Sequence, residues 1–184
     1  MTNWVIADTH FHHYNIIKYC NRPFTTAEEM DEAMITNWNG VVKSEDTVYH
    51  LGDFSFGTKD MIQEYREQLN GEIVLIKGNH DRGTNKFYRE RGFEEVHSGN
   101  LIYEEQFILS HAPQPFNGYL NGEPAMNIYG HVHQLMTVES KRMPFAYYCV
   151  SVEQTDYFPV NLDFITTQFL SRIDYEQRRT RGTY

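Results

Sequence analysis

The sequence contains few cysteines and no long apolar run, and each shortage excludes a class of protein. Its two cysteines, Cys20 and Cys149, lie in no C-x-x-C pair and are too few for a disulfide framework. Cys149 lies within an apolar run, and we interpret it as a buried, inert thiol. No segment reaches the ~18 apolar residues of a membrane span, and the first residues show no charged and apolar leader. We therefore expect a reducing compartment, the cytoplasm by default, and no membrane partner.

Basic residues are also scarce. The chain has 16 Lys and Arg against 25 Asp and Glu, a net charge of −9. Proteins that hold long nucleic acid neutralise its phosphates with a basic stripe. The nearest equivalent here is the arginine-rich segment 178–181, which we interpret as a solvated tail. The charge balance predicts small substrates, or an acidic site that attracts cations, and no long nucleic acid partner.

Aromatic residues, by contrast, are abundant. There are 13 Tyr and 12 Phe among 184 residues, and hydrophobic residues make up 40% of the chain. This length and composition predict one packed domain over residues 1–184 and leave the oligomeric state open. Most aromatics are expected in the core, while some are expected to line a cleft and stack on a base.

The hydrophobic pattern alternates strands and helices first, and strands in hairpins follow. We expect strands at 3–7, 46–51 and 73–76, and helices at 26–42 and 58–69, the first opened by a Thr26–Glu29 capping box. A short helix at 85–91, strands near 93–97, 101–103, 107–110, 127–129 and 145–152, and a final helix from Asp163 follow. Residues 11–24 and 112–125 are expected to be loops. This order predicts an α/β sandwich with a mixed sheet pair flanked by helices.

Five short polar motifs follow, or plausibly follow, apolar runs that are predicted to be strands. They are Asp8-Thr9-His10, Gly52-Asp53, Gly78-Asn79-His80-Asp81, His111 and Gly130-His131-Val132-His133. They supply seven metal ligands: Asp8, His10, Asp53, Asn79, His111, His131 and His133. Carboxylate, amide and imidazole without thiolate suit Mn²⁺, Fe, Zn²⁺ or Ni²⁺, and seven ligands fit two ions that share a carboxylate. If the first strand continues its alternation, Asp8 and His10 point the same way.

Each motif alone has a plainer interpretation. Gly52-Asp53 would be a turn, the Gly130–His133 stretch a hairpin bend, and isolated histidines such as His50 and His97 satisfied polar residues. Their joint occurrence, each at a strand end and each with a ligand, favours a two-metal site.

In chain order, residue type and strand context, these motifs resemble the calcineurin-like metallophosphoesterases, from about residue 5 to about residue 133. The resemblance implies a four-layer αββα sandwich of two mixed sheets. It also implies that Asp8, His10, Asp53 and His133 hold one ion, and that Asp53, Asn79, His111 and His131 hold the other. Asp53 then bridges two divalent ions, with Mn²⁺ expected and Fe, Zn²⁺ or Ni²⁺ as alternatives. A water or hydroxide between the ions becomes the nucleophile.

The resemblance also suggests residues that act on the substrate. His80, next to the ligand Asn79, is expected to be the general acid, with Asp81 orienting its ring. His12 stands where small relatives have glycine, while His13 matches their second histidine and is expected near the phosphate. Arg22, in an Asn-Arg-Pro-Phe stretch, and Arg82 are candidate phosphate contacts, or exposed loop arginines.

These residues predict a metal-dependent phosphoesterase for small phosphate esters, above all phosphodiesters such as cyclic nucleotides. A phosphomonoesterase would use the same metals with additional cationic contacts. A nuclease for short single strands would use aromatic stacking platforms. A non-catalytic scaffold would lack ligands or His80, and none is missing.

Overall fold

The structure, a computed structural model, describes residues 1–181. The side chains of 177 and 179–181 are not described, so most of the expected arginine tail lies outside it. Arg178 is described, and its guanidinium pairs with Asp174 at 2.8 Å on an exposed helix face. In the described part of the chain no helix is long and apolar enough to cross a membrane.

Strands and helices alternate along the first hundred residues. The strands are β1 Asn3–Ile6, β2 Thr47–His50, β3 Glu72–Ile76, β4 Glu95–His97, β5 Leu101–Tyr103, β6 Phe107–Ser110, β7 Tyr119–Leu120, β8 Glu123–Pro124, β9 Met126–Tyr129, β10 Tyr147–Cys149 and β11 Val160–Asn161. The helices are α1 Tyr14–Tyr19, α2 Ala27–Val41, α3 Lys59–Gln68, α4 Asn85–Arg89, α5 Val138–Arg142 and α6 Leu162–Arg181, and a 3₁₀ turn covers Val152–Gln154.

Two mixed sheets form the framework. The first has the order β11-β1-β2-β3-β4, with β1 to β4 parallel and β11 antiparallel at the edge. The second has the order β10-β9-β6-β5, in which β10, β9 and β6 are parallel and β5 is antiparallel. Parallel strands end at a common edge, so the loops that follow them are brought together.

One hydrophobic core lies between the first sheet and its helices. Trp38 of α2 is 1% exposed and packs in a cluster with Ile73 and Leu75 of β3. The Trp38 indole N–H donates to the Asn70 carbonyl at 2.9 Å, which ties α2 to the turn that ends α3. Thr26 and Thr58 cap α2 and α3 by accepting hydrogen bonds from backbone N–H groups, because the first turn of a helix leaves these donors unpaired.

A second core lies between the two sheets. Val5 and Val74 of the first sheet share it with Leu109 and Ile128 of the second, and all are buried. Phe169 of α6 enters the same core and meets the Phe107 ring at a centroid distance of 5.5 Å. The outer face of the second sheet is covered more lightly, by a small cluster around Tyr129 and Tyr147.

The expected fold class, an α/β fold with two mixed sheets and flanking helices, is confirmed. The expected loop at 11–24 is wrong in part, because Tyr14–Tyr19 forms the short helix α1, which lacks a side-chain cap. The expected loop at 112–125 is also wrong in part, because it contains the hairpin β7–β8, and the helix α5 and the edge strand β11 were not predicted. Cys149 is half-buried, and burial raises the pKa of its thiol to about 11.

Candidate metal centre

Five of the seven predicted ligands have a backbone that L-residues rarely adopt. Their φ angles lie in the left-handed region: Asp8 60°, His10 49°, Asp53 56°, His131 71° and His133 53°. Strained backbone of this kind clusters at functional sites, where the surroundings hold it in place. The expected strand alternation is therefore wrong for the first motif. Its strand ends at Ile6, and a turn aims the two side chains.

Glycines let these turns approach one another. A Cβ on Gly52 would lie 2.3 Å from the Gly78 backbone nitrogen, and Gly52 itself has a φ of +90°. A Cβ on Gly130 would lie 2.5 Å from the Ala7 Cβ and 2.6 Å from Asp8 Oδ2. Both positions require glycine because a Cβ would collide with the neighbouring motif, with the Gly78 backbone at Gly52 and with the Ala7 and Asp8 side chains at Gly130.

Buried polar side chains fasten the loops. The Asp81 carboxylate accepts from the backbone N–H groups of Asp53 at 2.7 Å, Gly78 at 2.8 Å and Phe54 at 3.2 Å. Burial raises the pKa of Asp81, although these donors oppose the shift. The expectation that Asp81 orients the His80 ring is therefore not met, since its oxygens instead join the second and third motifs through the backbone.

His50 has the structural role expected of it. It is fully buried, its Nε2 lies 2.9 Å from Thr9 Oγ1, and its Nδ1 accepts from the Gly52 N–H at 3.2 Å. Thr9 Oγ1 in turn donates to the Phe54 carbonyl at 2.7 Å. Burial lowers the pKa of His50 to about 3, so the ring is neutral and links the first two motifs. His97 is half-buried and pairs with Glu95 at 3.1 Å.

The ligand side chains meet in two groups at the common edge of the parallel strands. Within each group, one ligand atom per residue lies within 4.8 Å of the others. The groups are Asp8, His10 and His133, and Asp53, His111 and His131. Asn79 joins the second group, because its Oδ1 lies 2.9 Å from His111 Nε2.

Asp53 lies between the two groups. Its Oδ2 is 3.5 Å from His10 Nε2 of the first group and 3.5 Å from His111 Nε2 of the second. Its Oδ1 accepts from the His80 backbone N–H at 2.9 Å, which fixes the carboxylate. This placement agrees with a shared, bridging carboxylate.

Hydrogen bonds select the nitrogen that faces the site. His111 Nδ1 lies 2.8 Å from the Leu51 carbonyl and can only donate to it, which leaves Nε2 as the ligand atom. His133 Nδ1 lies 2.9 Å from Glu153 Oε1, so its Nε2 is likewise left for the site. Partners of this kind orient metal-binding histidines and increase their basicity.

The polar atoms present fit two divalent cations. Asp8 Oδ1 and His10 Nε2 are buried and have no hydrogen-bond partner. Burial raises the pKa of Asp8 to about 6, while burial and then the Arg22 charge lower the pKa of His10, so that imidazole is neutral as a ligand must be. Burial opposes the His133 cation, yet Cys20, Glu153 and Asp8 raise the pKa of His133 to about 10. A metal ion that binds His133 must therefore displace the proton of this ring.

Arg22 is not a phosphate clamp. It is 4% exposed, and its guanidinium donates to the carbonyls of Asp8 at 2.7 Å and Thr9 at 3.0 Å. Glu153 Oε1 lies 2.9 Å from Arg22 Nε and 2.8 Å from Nη2, the nitrogen that also donates to the Asp8 carbonyl. Each guanidinium nitrogen therefore has a protein partner, and Arg22 holds the first motif and Glu153 in place instead of contacting a phosphate.

Glu153 was not identified from the sequence. It lies 131 residues from Arg22 and 20 from His133, and only the fold brings the three side chains together. One signal was present, since Ser151 and Glu153 closely follow the apolar run that forms β10. Ser151 Oγ donates to Asp8 Oδ2 at 2.6 Å, so the end of β10 is a sixth strand end that contributes to the site.

Glu153→Gln is expected to weaken metal binding in the first group by about 10–100-fold, because His133 loses the carboxylate that orients it. Calorimetric titration of the metal-free variant measures the affinity. Glu95→Gln is the matched control, since Glu95 also pairs with a histidine, His97, but is exposed. An unchanged affinity in Glu153→Gln would show that the carboxylate does not act on the metal.

The predicted substrate residues lie around the metal groups. His80 Nε2 is 4.0 Å from Asp53 Oδ2, and its side chain is 32% exposed. His13 Nδ1 is 3.4 Å from His10 Nδ1, and its ring stacks on Phe56 at 4.0 Å. Arg82 is exposed and lines a cavity that His80 also lines.

His12 is exposed, and its side chain adds nothing to the buried groups. Its φ of 61° lies in the left-handed region, which favours glycine. Its backbone N–H donates to both oxygens of Asp31, at 3.0 and 3.1 Å.

A fold of two mixed sheets with this ligand set at the strand ends defines a metal-dependent hydrolase. Residues 1–148 match the calcineurin-like phosphoesterase superfamily domain, and the chain belongs to that superfamily. The family resemblance inferred from the motifs is therefore confirmed.

The chain is similar to three named proteins. The chain is 42% identical over 173 residues to the uncharacterized protein MJ1445 of Methanocaldococcus jannaschii, covering 88% of both chains. Among solved structures, it is similar to the protein of unknown function AQ665 from Aquifex aeolicus, with a TM-score of 0.72, 28% identity, and 91% of this chain and 98% of that chain covered. A nuclease MPE from Pseudomonas putida matches with a TM-score of 0.48 and 23% identity over 71% of this chain and 61% of that one, too low to support a statement about the reaction.

Proposed function

We propose that this protein hydrolyses small phosphodiesters, such as cyclic nucleotides, with two divalent ions, Mn²⁺ by preference. The observation that carries the proposal is the equal 3.5 Å separation of Asp53 Oδ2 from a histidine of each ligand group. When bound, two ions neutralise charge on phosphoryl oxygens and make a water more acidic.

His80 is the proposed proton donor to the leaving oxygen. Its backbone N–H is held by Asp53 Oδ1, so the ring stays beside the ligand groups without belonging to either. A third of its side chain remains accessible. General acids gain their effect from such positioning.

His13 is the proposed contact for a phosphoryl oxygen. Burial, followed by the His80 charge, lowers the pKa of His13, so the neutral ring offers a hydrogen bond and not a full charge. Its stacking on Phe56 fixes the ring plane.

The placement of Arg22 favours diesters over monoesters. A monoester dianion needs cationic contacts besides the metals, and Arg22 is buried in contacts with Glu153 and backbone carbonyls. Among the described residues, the cavity beside the ligand groups has no lysine or arginine in its walls. A singly charged diester suits this surface better.

A substrate panel with manganese-loaded protein tests the proposal. It compares bis(p-nitrophenyl) phosphate, p-nitrophenyl phosphate, 2′,3′- and 3′,5′-cyclic nucleotides, and a short single-stranded oligonucleotide. We expect diester turnover to exceed monoester turnover. Monoester hydrolysis far above diester hydrolysis, or no hydrolysis of any substrate, would overturn the proposal.

A further inference from the structure

The cleft has two lobes separated by Phe56. The metal lobe, about 680 Å³, is lined by three of the predicted ligands, His10, His131 and His133. The second, which we call the outer lobe, is about 570 Å³. Phe56 and His80 line both cavities. The outer lobe is further lined by Lys59, Ile62, Arg82, Phe87 and Tyr88, among others.

The outer lobe is cationic in an acidic protein. Lys59 and Arg82 are in its walls, and no Asp or Glu is among its lining residues, although the chain carries a net charge of −9. Both cations are exposed, and within residues 1–181 neither forms an ion pair with a carboxylate. A wall with positive charge and no neutralising carboxylate attracts anions.

Aromatic rings complete the walls. Phe56 is 49% exposed, and its ring lies 4.0 Å from the His13 centroid and 5.2 Å from the His80 centroid. Arg91, which does not line the lobe, packs its guanidinium on the Phe87 ring at 3.8 Å from the ring centroid. These two aromatic rings, Phe56 and Phe87, lie beside cationic side chains. Such a surface is suited to a planar base next to a phosphate.

We infer that the outer lobe binds the leaving-group side of a nucleotide diester that carries a further phosphate. The inference rests on the proposed function. His80 lies at the boundary of the lobes, so the bond that breaks lies there. Water adds to phosphorus and releases a proton to solvent, the P–O bond to the leaving alcohol breaks, and His80 gives its proton to the leaving oxygen. Short linear nucleotides are then better substrates than cyclic mononucleotides, which lack the second phosphate.

The test compares the dithymidine monophosphate TpT with its terminally phosphorylated forms pTpT and TpTp. The ratio of interest is kcat/KM for the form with its extra phosphate on the leaving nucleoside, divided by kcat/KM for TpT. For wild type, we expect this ratio to be about ten, the gain of one charge-assisted contact. Arg82→Ala and Lys59→Ala should each lower this ratio towards one, and Arg82→Lys should retain part of it. Lys86→Ala is the control, since Lys86 is 80% exposed, pairs with Glu90 and is outside the lobe lining.

The outcomes separate the two proposals. A wild-type ratio near one, or a ratio unchanged by both Arg82→Ala and Lys59→Ala, overturns the outer-lobe inference while aryl diester turnover still supports the proposed function. Absence of turnover on bis(p-nitrophenyl) phosphate overturns the proposed function itself. Binding of thymidine 3′,5′-bisphosphate and thymidine 5′-monophosphate to the same proteins gives a readout independent of turnover. Wild type should prefer the bisphosphate, and equal affinities would count against the inference.

Discussion

Asp53→Ala is expected to remove metal from both ligand groups and to lower phosphodiester hydrolysis by at least about a thousandfold. Among the described residues, Asp53 Oδ2 is the carboxylate oxygen that lies 3.5 Å from histidine nitrogens of both groups, so in the proposed two-ion site its removal takes a ligand from each ion. The bound ions stabilise transition-state charge by several kcal/mol, which corresponds to a rate loss of about that size.

Asp53→Asn is the more conservative form of this test. The amide preserves the size of the side chain and can still accept from the His80 N–H. Asp60→Asn serves as the control, since Asp60 is exposed in the first turn of α3. Elemental analysis after dialysis measures bound metal, and circular dichroism checks the fold. Two tightly held ions in Asp53→Asn would show that Asp53 does not bridge.

His80→Ala is expected to retain both ions and lose turnover according to the leaving group. Loss of a general acid costs about 10²–10⁴-fold where the leaving alcohol must be protonated, and less for nitrophenolate. A plot of log kcat against leaving-group pKa should therefore be steeper for the variant than for wild type.

His97→Ala is the matched control for His80, because His97 lies on β4 and contacts Glu95, outside both ligand groups. Its kinetics should match those of wild type. Equal loss for alkyl and nitrophenyl leaving groups in His80→Ala would assign His80 to phosphoryl binding and not to proton donation.

Much of the candidate metal centre could be predicted because each ligand lies close in sequence to the strand that positions it. Asp8, Asp53 and Asn79 each come shortly after an apolar run, and parallel strands end at one edge, so short motifs suffice to place them. His111 and His131 follow β6 and β9 by the same logic. The helix starts at Thr26 and Thr58 were predictable for a similar reason, since a capping side chain acts within three residues.

The misassigned roles depend on contacts between distant segments. The sequence shows Arg22 as a loop arginine, and only burial against Glu153, 131 residues away, gives it a supporting role. Asp81 adjoins His80 in sequence, yet its carboxylate binds the Asp53 backbone, 28 residues away. The left-handed backbone of the ligands was also unpredictable, because five non-glycine residues adopt a conformation that their residue types disfavour.

Titration of metal-free wild-type protein with Mn²⁺, followed by electron paramagnetic resonance, distinguishes a shared two-ion centre from a single-ion site. Two ions that share the Asp53 carboxylate are magnetically coupled. We expect saturation at two Mn²⁺ per chain, a spectrum of a coupled pair, and diester hydrolysis that rises as that spectrum appears. Saturation at one ion, with the uncoupled six-line spectrum and full activity, would contradict this expectation.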